Sequence, residues 1–145
     1  MGSLNLPASG VIYIDTAPVI YTVERHPDYF ALLDPLWAAS ESGQIQVVSS
    51  EMILLETLTG ALKRNDQQLI DDFERVLTAS EMNLIPISAA LLRDAAQLRA
   101  SINLKTPDAI HAATALASGC GLLITNDKDL KRVTALNVII LSEIV

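Results

Sequence analysis

The chain is 145 residues long and 50% hydrophobic, which suits one domain with a substantial core. Its net charge of −7 argues against a protein that grips nucleic acid through a broad basic surface, because such binding rests on Lys and Arg neutralising phosphates. With aromatic residues at 4%, base-stacking platforms of the RRM or OB kind are also not expected, so any nucleic-acid contact must be local or metal-bridged. No apolar run approaches the roughly 20 residues that span a bilayer, and the first ten residues carry no signal-peptide pattern. The single cysteine, Cys120, has no partner for a disulfide, so the expected compartment is the reducing cytoplasm.

In chain order, MGSLNLPASG reads as a loose leader over residues 1–10, and residues 11–145 as a single domain. Val11 to Ile14 is a short apolar, β-branched run without alternation, the pattern of a strand covered on both faces. Ile45 to Val48, Leu84 to Ile87, Leu122 to Ile124 and Val138 to Leu141 repeat it, predicting five buried strands. Helical patterns lie between them. One opens near Pro27 and carries Tyr29, Leu32, Leu33, Leu36 and Trp37 up to Gly43. Ser50 is expected to cap the next, with Leu54, Leu58 and Leu62 as its inward row. Asn65 is expected to cap a third, with Leu69, Ile70, Phe73, Val76 and Leu77 inward, and Ser88 a fourth, with Leu91, Leu92, Ala95 and Leu98 inward. Thr106 and Pro107 start the last helix and Gly119 stops it. Strands alternating with helices predict an α/β fold of right-handed βαβ units around a parallel sheet.

Ligands of open α/β sheets bind beyond the carboxyl ends of the strands, where strand order reverses. Asp15 and Asp127 follow strand runs directly or nearly so, and Glu56 and Asp108 lie on helices that start near the same rim. Taken singly, each acid has a simpler explanation. Asp15 can cap the TAPVIYTVE segment, Asp108 can favour a helix dipole, Glu56 can sit on a solvated face opposite the leucine row, and Asp127 can form an Asx-turn. Taken together they predict a carboxylate cluster. His111, one helical turn after Asp108, is expected to be structural or to contact a partner; Glu51 and Asp129 are nearby substitutes for Glu56 and Asp127. Glycine-rich nucleotide loops, Cys/His zinc spacings and the G-x-S-x-G elbow are absent. Crowded carboxylates repel one another, and an all-oxygen set suits Mg²⁺ or Mn²⁺, which can activate water for phosphodiester hydrolysis.

The words TPDAIHAATAL, YIDT, SSEMILLE and LLITNDKDL give the chain its resemblance: it is similar to PIN-domain ribonucleases, most of all to the toxins of VapBC-type toxin–antitoxin pairs. The likeness runs over nearly all of residues 11–145. It implies a three-layer fold with a five-stranded parallel sheet in the order 3-2-1-4-5, Mg²⁺- or Mn²⁺-dependent cleavage of RNA, homodimerisation and neutralisation by an antitoxin. Asp15, Glu56, Asp108 and Asp127 match the family's acids as catalytic and metal-holding residues, and Thr16 and Thr125 the hydroxyls beside them. Lys105, Lys128, Lys131 and Arg132 lie near the rim and read as ordinary solvated charge, with RNA guidance as the other reading. The ten-residue leader departs from the family pattern. A weakly active scaffold that binds protein or RNA, and a housekeeping RNA-processing nuclease, are the competing functions.

Overall fold

Apolar side chains on both faces of each strand require cover on both sides, and the chain supplies it with two helical layers. The structure is a computed structural model that describes residues 2–79 and 81–144. Strands β1 (Gly10–Ile14), β2 (Ile45–Ser50), β3 (Met82–Ile85), β4 (Leu122–Thr125) and β5 (Val138–Ile140) form one parallel sheet in the order β3-β2-β1-β4-β5. Along β1 the side chains alternate between the layers. Ile12 and Ile14 join the core beneath helices α1 (Thr16–Val23), α2 (Phe30–Glu41), α3 (Met52–Lys63) and α4 (Gln67–Leu77). Tyr13 enters the other core, under α5 (Ala89–Ile102) and α6 (Thr106–Ser118). The three-layer architecture and the strand order are those expected.

Helix α6 lies close to the sheet because its inward surface is small: Ala109, Ala112, Ala113 and Ala115 are all buried. It ends at Gly119, whose φ of +67° is a left-handed conformation that costs glycine little. Strand order reverses at β1, from which the chain builds outward first through β2 and β3 and then through β4 and β5. Ile14 is paired with Ile124 there, so Asp15 and Thr125 leave the sheet side by side.

Several local expectations shift. The second helix begins at Phe30, because residues 26–29 form a turn in which the His26 carbonyl accepts from both the Tyr29 and Phe30 amides. Asp66, not Asn65, caps α4 by accepting from the Leu69 amide at 3.1 Å, while Asn65 adopts a φ of +49°. Strand β3 is displaced two residues toward the N-terminus; Pro86 lacks the N–H that a continuing ladder needs. The inward row of α3 is Ile53, Thr57 and Ala61, whereas Leu62 is 58% exposed and Leu54 and Leu58 are half-buried. On α5, Leu92 is exposed as well.

Residues 2–9 hold neither helix nor strand, yet Leu4 is buried in the core under α1–α4, and the Gln44 side chain donates to the Pro7 carbonyl at 3.2 Å. Leu4→Ala should therefore destabilise the protein by about 2 kcal/mol, the low end for a buried leucine. Urea unfolding measures this directly, and an unchanged midpoint would show that the segment contributes nothing to stability.

Candidate active site

Asp15 stands at the N-cap position of α1 but makes no capping hydrogen bond. Its Oδ2 accepts from the Thr125 hydroxyl, whose oxygen in turn accepts from the Asp127 amide at 3.0 Å. The other oxygen, Oδ1, is buried and has no hydrogen-bond partner among the described residues. An orphaned carboxylate oxygen is costly, and in a native fold it calls for a ligand or ion.

Asp15, Glu56, Asp108 and Asp127 all line one open cleft of about 420 Å³ at the carboxyl edge of β1 and β4. Carboxylate oxygens of Asp108, Asp127 and Asp129 lie within 4.8 Å of one another. Asp129 thus joins the group alongside Asp127, with its amide donating to Asp127 Oδ1 at 2.9 Å. That bond is the Asx-turn expected of Asp127, and it coexists with a place in the cleft. Glu51 does not line the cleft; its carboxylate accepts weakly from the Ile87 amide at 3.4 Å.

Burial raises the Asp15 carboxyl to about 6, against opposing help from His111 and the Thr125 hydroxyl, with Glu56 and Asp127 adding to the rise. Burial likewise raises Asp108 to about 7, reinforced by the neighbouring Asp127 and by the charges of Asp15 and Asp129. Hard oxygen donors, mutual repulsion and an unpartnered buried oxygen together fit a divalent cation of the Mg²⁺ or Mn²⁺ kind.

Glu56 behaves differently. The actual inward row of α3 starts at Ile53, so Glu56, three residues on, turns toward the sheet edge rather than toward solvent. Its Oε1 takes a hydrogen bond from the Thr16 hydroxyl at 2.7 Å and lies 2.7 Å from His111 Nε2. Burial works to raise its pKa, but the bonds from His111 and Thr16 prevail and lower it. His111 is only 3% exposed and its Nδ1 lies 2.7 Å from the Tyr13 hydroxyl. The sequence placed His111 one turn from Asp108; its partner was hidden by the misjudged rotation of α3.

Asn126 is a residue the sequence reading passed over. Its amide donates to the Tyr21 hydroxyl at 3.0 Å and its oxygen accepts from the Ser142 amide at 2.9 Å, pinning the β4 loop to α1 and to the C-terminal turn. Of the four basic residues near the rim, Lys128 lines the cleft. Lys131 pairs with Glu143, Arg132 with Asp129 at 3.7 Å, and Lys105 is exposed.

A sequence profile described as the PIN domain matches residues 12–136, and the chain belongs to the PIN domain family. Comparison with curated protein sequences gives no significant match. Among solved structures, the chain resembles VapBC2 from Rickettsia felis bound to a promoter DNA fragment, with TM-score 0.72 and 21% identity over 89% of this chain and 97% of that one. It is also similar to VapC20 of Mycobacterium tuberculosis, described as a sarcin–ricin loop cleaving toxin, with TM-score 0.71 and 18% identity over 84% and 94% of the two chains. A toxin–antitoxin complex from Klebsiella pneumoniae matches with TM-score 0.62 and 25% identity over 90% and 97%.

Asp15 and Asp108 hold their protons more tightly folded than unfolded, since both rise from 3.8, to about 6 and about 7. Their contribution to stability is thus complete below about pH 4 and lost as pH rises through about 6–7. Metal-free protein should lose urea resistance over that interval, and Asp108→Asn should flatten the loss. At neutral pH, Mg²⁺ or Mn²⁺ at a hundred times its dissociation constant should restore about 2.7 kcal/mol. An identical pH slope in the variant, with no response to either ion, would contradict this account of the cleft.

Proposed function

We propose that the protein is a Mg²⁺- or Mn²⁺-dependent endoribonuclease of the cytoplasm, the toxin of a type II toxin–antitoxin pair, acting as a homodimer and silenced by a cognate antitoxin. The observation that carries the metal-dependent reading is the Asp15 Oδ1 atom, buried without a partner among the described residues on a cleft shared with Glu56, Asp108 and Asp127. Family membership supports nuclease chemistry, and the likeness to toxins of toxin–antitoxin complexes supports the biological role.

Asp108, Asp127 and Asp129, whose carboxylate oxygens lie within 4.8 Å of one another, would hold the cation together with Asp15, and Glu56 lines the same cleft. When bound, such an ion would activate water for attack on a phosphodiester and offset the charge on the leaving oxygen. The protein's own groups do the rest. The Thr125 hydroxyl fixes Asp15 Oδ2 and so leaves Oδ1 as the free donor. Thr16 holds Glu56 at the opposite wall. Lys128 supplies a positive charge among the acids and neutral side chains that line the cleft, where an RNA phosphate would sit.

Purified protein, freed of any partner, should cleave structured RNA with Mg²⁺ or Mn²⁺ and stop on addition of EDTA. Asp15→Asn and Asp108→Asn should each lower the rate on the order of 100-fold or more, the scale for losing a principal electrostatic group, with native circular dichroism retained. Cleavage in excess EDTA, or equal rates in all three proteins, would reject the mechanism. In cells, induction should arrest growth, with relief by Asp15→Asn or by an antitoxin encoded beside the gene. Cleavage in vitro without growth arrest would favour a housekeeping nuclease, and tight RNA binding without cleavage a scaffold.

A further inference from the structure

A buried imidazole joins the two sides of the molecule behind the cleft, and none of the chemistry above uses it. His111 projects from α6 into the interior, 3% exposed, with one ring nitrogen 2.7 Å from the Tyr13 hydroxyl of β1 and the other 2.7 Å from Glu56 Oε1 of α3. Three separate elements meet at this ring.

The Glu56 carboxylate settles the role of the ring nitrogen that faces it. The Ser49 and Thr114 hydroxyls flanking Tyr13 donate to the Ile14 and Ile110 carbonyls at 2.6 Å, and the Tyr13 hydroxyl lies 2.7 Å from Nδ1. The Tyr13 hydroxyl thus anchors the ring from the Nδ1 side. Glu56 is a carboxylate that can only accept, so Nε2, 2.7 Å from Oε1, carries a proton and donates it there. Oε1 is occupied by His111 and Thr16, while Oε2 has no protein donor among the described residues.

We propose that His111 is a positioning residue for Glu56: anchored by Tyr13, it fixes Oε1 through Nε2–H and so presents Oε2 to the cleft in one orientation. A glutamate on an exposed helix would swing among rotamers; this one is held from behind by a group that cannot itself move. The inference deepens the ribonuclease reading and rests on it for its kinetic consequence, though the orientation of Glu56 does not depend on catalysis.

Three substitutions separate positioning from packing. The amide nitrogen of a glutamine can reach the place of Nε2, that of an asparagine only the place of Nδ1, and a leucine donates nothing. With Mn²⁺ and an RNA substrate, His111→Asn and His111→Leu should lower kcat about 10- to 100-fold, the scale for removing a partner that orients a site ligand, with KM little changed. His111→Gln should recover most of that loss. Equal kcat in the glutamine and asparagine variants, or losses that track melting temperature alone, would overturn the proposal. Independently of activity, imidazole nitrogen NMR of the metal-free protein should find the proton on Nε2, with a resonance displaced by Glu56→Ala. An Nε2 without a proton, or one indifferent to Glu56→Ala, would also overturn it. A wild type that cleaves no RNA removes the ribonuclease reading and leaves the NMR result to decide the orientation of Glu56.

Discussion

Carboxylates repel one another and lose hydration when buried, and the carboxyl edge of this sheet imposes both penalties at once. Asp15 is 7% exposed, with one oxygen held by Thr125 and the other unpartnered among the described residues, and Asp108 and Asp127 share the same cleft. Packing of this kind survives only if the surrounding fold is rigid enough to hold it and something else compensates the charge. The sheet supplies the rigidity. Its strands carry covered apolar faces, and the register that pairs Ile14 with Ile124 leaves Asp15 and Thr125 adjacent.

The compensation is divided. On the Asp108 side the acids face one another across a gap of ion size, and burial, reinforced by Asp127 and the other acids, raises the Asp108 carboxyl to about 7. On the Glu56 side the protein answers the charge with its own groups, a hydroxyl and a buried imidazole, and the glutamate's pKa falls. A cleft with one electrostatically frustrated wall and one satisfied wall can take up a cation at the first without rearranging the second. Asn126 adds to this stiffness by tying the loop that carries Asp127 to α1 and to the C-terminal turn.

Much of this was legible in the residues. Short runs rich in Ile, Val and Leu mark strands buried on both faces, so β1, β2 and β4 could be placed, and Thr106-Pro107 with Gly119 bounded α6. Acids just past strand ends pointed to one rim, and they do line one cleft. What failed was finer. On α3, leucines stand at exposed and half-buried positions while Ile53, Thr57 and Ala61 face inward; a row of threonine and alanine carries little hydrophobic signal, so the helix was assigned the wrong rotation. That error made Glu56 look solvated and concealed its bond to His111. Asn65 and Asp66 are both good caps, and only the backbone at Asn65, with its positive φ, decides between them. The burial of Leu4 had no periodic pattern to announce it.

The central claim is that the free oxygen of Asp15 is a ligand atom and that its burial is offset by a divalent ion. Crystals grown with Mn²⁺ and measured near the manganese absorption edge test this most directly. The account predicts an anomalous-scattering peak within bonding distance of Asp15 Oδ1 and of a carboxylate oxygen from Asp108 or Asp127. A cleft without a peak at saturating Mn²⁺, or an ion bound only by acids elsewhere on the surface, would contradict it.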